Sequence, residues 1–216
     1  MRGDSYAGYR QRLVEIVRSK GVHDLAVLRA ISEVPRHRFV PTALLRQAYD
    51  DGALPIGSGQ TISQPSLQAL TIEKLALTGN ERVLEVGTGS GYQTALLALC
   101  ASQVFSVERV AALAEQARAI LTEIGIRNVS VLVGDGTLGW RAYEPYDAIV
   151  VAAASPGIPQ PLLDQLGPGG RLLIPLGPRD AQVLTLVTKD PDGTVHRTNL
   201  VDAIFVPLLG KHGFDG

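Results

Sequence analysis

A short apolar strand that runs straight into three closely spaced glycines and then a helix constrains this chain more than any other feature. In residues 83–92, Val83, Leu84 and Val86 lead into Gly87, Gly89 and Gly91, and Tyr92 opens a helical stretch. Glycines between a strand and a helix N-terminus let backbone press against a ligand. A dinucleotide fingerprint needs its third glycine at residue 92, which is Tyr92, and a P-loop needs a lysine that is absent here. Glu85 precedes the first glycine by two residues; a carboxylate there repels pyrophosphate and favours a cationic ligand. S-adenosylmethionine, with its sulfonium and α-ammonium groups, is such a ligand.

The surrounding pattern predicts an α/β fold. Apolar strands at 82–86, 104–107, 129–133, 148–151 and 171–175 alternate with helices at 66–78, 92–101, 110–124 and about 161–166. Continuous apolar strands imply a parallel sheet covered on both faces. Residues 183–188 and 194–201, joined across Asp190, Pro191, Asp192 and Gly193, predict an antiparallel hairpin. Upstream, Tyr6, Tyr9, Leu13, Ile16 and Val17 fall at helical spacing, and Asp24 is placed to cap a second helix that ends before Pro35. Another short helical stretch follows Pro41, whereas residues 53–65 suit neither a helix nor a long strand.

Glu108 ends the strand after the glycine loop, where its two oxygens would accept both hydroxyls of a ribose. Asp135, between Gly134 and Gly136, would accept from an exocyclic adenine amine. Glu85, Glu108 and Asp135 thus end three successive strands on the sheet edge where open α/β folds bind ligands. Taken singly, each has a bland alternative as a turn or first-turn acid.

Composition excludes several other classes. With 20 Lys+Arg against 21 Asp+Glu and 11 aromatic residues, nucleic acid is not expected as the main partner. The excess of positive charge in residues 1–46, 9 against 4, reads as solvated helix faces. The longest apolar runs, 95–101 and 148–154, have 7 residues, far short of the roughly 20 that span a bilayer. The first six residues lack an apolar signal core, so a cytoplasmic address is expected. One cysteine, Cys100, excludes an intrachain disulfide and reads as a core thiol, and no histidine spacing suggests a metal site. His37, between Arg36 and Arg38, reads as part of a solvated basic cluster, and Trp140 as either a packing residue over the adenine side or a satellite core aromatic.

The glycine loop with Gln93, together with the stretch 54–65 (Leu-Pro-Ile-Gly-Ser-Gly-Gln-Thr-Ile-Ser-Gln-Pro), resembles the protein-L-isoaspartate (D-aspartate) O-methyltransferase family. Similar to that family too are Phe39-Val40-Pro41, Ala48-Tyr49, residues 134–136, 146–151 and 167–171, and Phe205-Val206-Pro207-Leu208, so the resemblance covers nearly the whole chain. It implies a Rossmann-like, class I S-adenosylmethionine-dependent methyltransferase with a mostly parallel seven-stranded sheet, N-terminal helices and a C-terminal antiparallel hairpin. Residues 1–65 would supply the N-terminal helices and active-site loop, and 66–216 the cofactor-binding core, in one compact domain overall.

The implied activity is methylation of the α-carboxylate of L-isoaspartyl residues in damaged proteins and peptides, whose ester then closes to a succinimide. Ser63 matches the family's active-site serine and would orient the acceptor carboxylate; capping of the helix after Pro65 is the alternative. The resemblance places Gln64, Ser66 and Gln68 near the cofactor beside Glu85, Gly87, Thr88, Gly89, Gly91, Glu108, Asp135 and Gly136, with Ile62 and Val206 lining the peptide groove. Ser66-Leu67 departs from the family, which more often carries a bulkier residue after the proline. The cofactor loop equally permits a methyltransferase of a small-molecule acceptor. Neither membrane nor metal is implied, and a monomer is favoured.

Overall fold

Two helices on the expected apolar spacing open the described part of the chain, residues 5–215 of the computed structural model; the leader reading of the first residues therefore falls largely outside it. α1 (Ala7–Ser19) buries Leu13 and Val17, and α2 (Leu25–Glu33) buries Leu28 and Ile31. Asp24 caps α2 as its position predicts, accepting from the backbone N–H of Ala26 at 2.8 Å and Val27 at 3.1 Å. Two 3₁₀ turns, Arg36–Phe39 and Thr42–Gln47, lead to a small hairpin, β1 (Leu54–Gly57) and β2 (Gln60–Ile62), in the stretch that showed no clear period. Its turn places Gly57, Ser58 and Gly59 in succession at positive φ, so the chain reverses within three residues.

α3 (Pro65–Lys74) starts at the proline and stops four residues earlier than its pattern predicts. Ala76 adopts a left-handed conformation, φ +47, and the Glu81 carboxylate gathers the N–H groups of Thr78, Gly79 and Asn80, so the chain turns instead of continuing the helix.

The sheet comprises β3 (Arg82–Val86), β4 (Gln103–Glu108), β5 (Val129–Val133), β6 (Tyr146–Val151), β7 (Leu166–Leu176), β8 (Gln182–Lys189) and β9 (Val195–Ala203). Their spatial order is β5-β4-β3-β6-β7-β8-β9, parallel from β5 to β7 and antiparallel through β8 and β9. β7 begins earlier than expected because Leu166 pairs with Tyr146, after which the glycine-rich stretch bulges out and pairing resumes at Arg171 with Ala148. The helices α4 (Tyr92–Cys100), α5 (Ala111–Glu123) and α6 (Gln160–Gln165) make the crossovers.

Alternation along the strands divides the core into two layers. Val83, Val104, Ala148 and Val150 join Leu13, Ile31, Ile72 and Leu96 on one face, so the N-terminal helices and the sheet share one core. Leu84, Phe105, Ile149 and Val151 pack with Leu162 and Leu166 on the other. Cys100 lies in the first layer, where burial pushes its thiol up to about 12. Trp140 joins Phe105 and Tyr143 edge-on against the second layer, the satellite-core arrangement of its two readings. No helix among the described residues is long and apolar enough to cross a membrane.

Candidate active site

The order of the sheet reverses around β3, whose neighbours β4 and β6 leave in opposite directions, and the glycine loop lies at the carboxyl end of that strand. Gly87 (φ +96) donates its N–H to the Val107 carbonyl at 2.8 Å, and Gly91 (φ +87) forms the N-cap of α4. A side chain at Gly91 would stand 3.0 Å from Ala117 Cβ, and one at Gly136 would meet Val86 Cγ1 at 2.4 Å. These glycines let the loop lie low against β4 and α5 and let residue 136 press on the end of β3, leaving a narrow slot above the strand ends. Gly87, Thr88, Gly89, Gly136 and Glu108 line it, and Leu208 and Leu209 border it from the C-terminal side.

Glu108 is tied to the loop itself. Its Oε2 accepts the Gly89 N–H and its Oε1 the Val110 N–H, both at 2.8 Å. Each oxygen keeps a further lone pair for a ligand hydroxyl, as the ribose reading requires.

Glu85 departs from its sequence expectation. Strand alternation turns it away from the slot and beneath the loop, where it is fully buried and accepts from Thr94 Oγ1 at 2.5 Å, Ser106 Oγ at 2.6 Å and Gln93 Nε2 at 3.2 Å. Burial, partly opposed by these donors, pushes its carboxyl up to about 7. Ser106 in turn lies 2.6 Å from Thr88 Oγ1, so Glu85 reaches the slot through two hydroxyls rather than by facing a ligand.

Asp135 also departs. Its Oδ1 accepts from the N–H and hydroxyl of Thr137, at 2.9 and 2.7 Å, and its Oδ2 from the Lys211 N–H at 2.8 Å. Burial opposes ionisation here, but the Lys211 and Thr137 donors prevail and hold the carboxyl below its ordinary value. The residue anchors the C-terminal tail; its neighbour Gly136, not its own carboxylate, reaches the slot.

Beside the slot opens a wide groove of about 800 Å³ between the N-terminal hairpin region and the far edge of the sheet. Thr61, Ser63, Ala152 and Val206 line both cavities, so Ser63 stands where they join. Gln64 is the N-cap of α3 and makes no side-chain cap bond; the serine does not cap the helix either. Ile62 lines the slot rather than the groove, whereas Val206 lines both. Gln64 and Ser66 face the groove, and of the three residues placed near the cofactor only Gln68 lines the slot.

Two residues that sequence reasoning missed hold this corner. Asp51 accepts from Gln64 Nε2, Ser66 N–H and Ser66 Oγ, each at 2.8 Å, and thereby supplies the cap that α3 lacks locally. Arg36, read as solvated, is completely buried. It donates to the Ser63 carbonyl at 3.0 Å, to Gln68 Oε1 at 3.3 Å and to the Gly52 carbonyl at 3.4 Å, with its guanidinium carbon 4.7 Å from the Tyr92 ring centroid. His37 is half-buried too, stacked on Tyr6 with Nδ1 2.6 Å from the Tyr49 hydroxyl, and only Arg38 is solvated, paired with Glu123. The signal available beforehand was the flanking Pro35 and Phe39, which mark a tight, buried turn.

Comparison with known proteins decides the family. Residues 8–213 match the family model described as Protein-L-isoaspartate(D-aspartate) O-methyltransferase. The chain belongs to this family. It is 53% identical over 208 residues to Protein-L-isoaspartate O-methyltransferase 1 of Syntrophobacter fumaroxidans, covering 96% of this chain and 97% of that one. It is 51% identical to the protein-L-isoaspartate O-methyltransferase of Methanoculleus marisnigri, covering 100% and 98%. Among solved structures, a putative family member from Plasmodium falciparum in complex with S-adenosyl-L-homocysteine superposes with a TM-score of 0.82 at 26% identity, covering 93% of this chain and 98% of that one.

Proposed function

We infer that the protein transfers a methyl group from S-adenosylmethionine to the α-carboxylate of L-isoaspartyl residues in damaged proteins and peptides, starting repair through a succinimide. The observation that carries this reading is Ser63 at the junction of the slot and the groove, in a chain whose family is that of the isoaspartyl methyltransferases. The slot suits the donor, because its glycines admit close backbone approach and Glu108 keeps acceptor lone pairs free. When bound, S-adenosylmethionine supplies a methyl on a positively charged sulfur.

An isoaspartyl carboxylate is ionised at neutral pH and is itself the nucleophile, so the chain need supply no general base. Its oxygen forms the new bond to carbon as the methyl-sulfur bond breaks and the bonding pair stays on sulfur. The protein's task is alignment and exclusion of water. Ser63 donates its hydroxyl to the acceptor carboxylate and fixes its approach. Gly87, Thr88, Gly89 and Gly136 hold the donor against the strand ends, while Gly91 lies outside the slot lining and turns the loop into α4 against Ala117; Glu108 accepts the donor's ribose hydroxyls, and Gln68 and Ile62 close the slot from the N-terminal side. Val206 borders both substrates, while Gln64 and Ser66 shape the peptide groove. Glu85 acts on the donor through Ser106 and Thr88, and Asp135 by tying down the tail.

Residues 1–65 supply the N-terminal helices and active-site loop, and 66–216 the cofactor-binding core, which also lends one wall to the peptide groove. A buried, unpaired Cys100 suits a reducing compartment such as the cytoplasm, and the monomer is taken as the working unit. The test is transfer of labelled methyl to a synthetic isoaspartyl peptide beside its aspartyl twin. Selective labelling of the first is expected; cofactor binding with neither peptide labelled would leave a methyltransferase of another acceptor.

A further inference from the structure

The groove, the slot and the hydroxyl between them depend on a backbone corner that makes few contacts of its own. Arg36 is among the largest fully buried side chains of the described residues, although a buried guanidinium costs several kcal/mol unless its donors are met. Among the described residues no ion pair includes it, and its Nε lacks a partner. Its donors go to Gly52, Ser63 and Gln68, which places one contact on the junction and one on the slot wall. Asp51 holds the other side of the same corner through Gln64 and Ser66. The two opposite charges thus grip residues 63–66 from both sides without bonding to each other.

We propose that Arg36 and Asp51, the latter also facing Lys20 Nζ at 3.9 Å, are positioning residues that together aim the Ser63 hydroxyl at the point where the two substrates meet. Arg36 donates directly to the Ser63 carbonyl and to Gln68 on the slot wall, which ties it to the residue at the junction and to the donor side at once. Aim matters because a displacement of about 1 Å can lower a transfer rate by about a hundredfold. The inference rests on the methyl-transfer reading given above.

The experiment is a double-mutant cycle in the full chain, reading initial rates on the isoaspartyl peptide. Arg36→Lys keeps the charge but cannot span three acceptors. It is expected to lower kcat by about tenfold or more while KM for S-adenosylmethionine stays within about twofold. On a Ser63→Ala background the same change should cost less than about twofold further, because the hydroxyl it aims is gone. Equal losses on both backgrounds, or an unchanged kcat, overturn the proposal. Should Arg36→Lys fail to fold by thermal melt, Asp51→Asn replaces it in the same cycle with the same expectations. Should Ser63→Ala be too slow to measure, the split decides alone: lost kcat at unchanged KM supports aiming, and unchanged kcat refutes it. Absence of labelling by the parent enzyme would refute the methyl-transfer reading instead.

Discussion

Replacing Glu85 with glutamine isolates the effect of one buried carboxyl beneath the glycine loop. Burial, opposed by the hydrogen bonds from Ser106, Thr94 and Gln93, carries this group from 4.5 to about 7. The folded protein therefore holds the proton more tightly than the unfolded chain does. The stability this provides is fully present below the unfolded pKa and is lost as pH rises through the folded one, levelling off above it. The interval from 4.5 to about 7 corresponds to roughly 3 kcal/mol at 1.36 kcal/mol per pKa unit. Glutamine does not ionise, so the variant should gain roughly 3 kcal/mol relative to the parent between about pH 4 and about pH 8. Absolute stabilities will also carry the titration of other carboxylates, which cancels in the difference. Urea unfolding of both proteins at matched pH gives that difference directly from midpoints and slopes. A difference that stays flat within about 0.5 kcal/mol across this range would refute the assignment of a proton to Glu85.

Ser63→Ala should lower kcat on an isoaspartyl peptide by roughly tenfold to a hundredfold and leave S-adenosylmethionine affinity unchanged, read by steady-state kinetics and calorimetry. Asp135→Ala should release the tail held through Lys211, speeding limited proteolysis after Leu209 and shortening cofactor residence; parental cleavage rates would count against an anchoring role. Asp24→Ala should destabilise the protein by about 1 kcal/mol through loss of the α2 cap, lowering Tm by about 2 to 4 °C.

Local pattern carried much of the fold. The bounds of β3 and β5 agree with their apolar runs, Asp24 caps α2, and Gly87, Gly89 and Gly91 all have positive φ. Boundaries failed where a distant or strained group intervened, as at Ala76 after α3 and at the bulge that lengthens β7. The site was legible as a set of strand ends but not as a set of side-chain directions. Glu85 and Asp135 occupy the expected edge, yet one lies under the loop and the other binds a tail 76 residues away. Beyond the Pro35 and Phe39 that flank Arg36, local pattern says little of Arg36 and Asp51, because their partners lie 13 to 32 residues further on and burial of a charge is set by tertiary packing. Gln64 and Ser66 were placed one cavity away from where they lie, since adjacent positions at a helix start face different sides.

The groove draws one wall from residues 53–70 and the other from residues 180–206, so the five strands β3 to β7 separate its two halves in sequence. During synthesis the strands β3 to β6 and the glycine loop can emerge from the ribosome while the opposite wall does not yet exist. A nascent or prematurely terminated chain can thus possess much of the donor slot but has no enclosed place for a peptide. The peptide groove is therefore complete only once residues 180–206 have folded against residues 53–70.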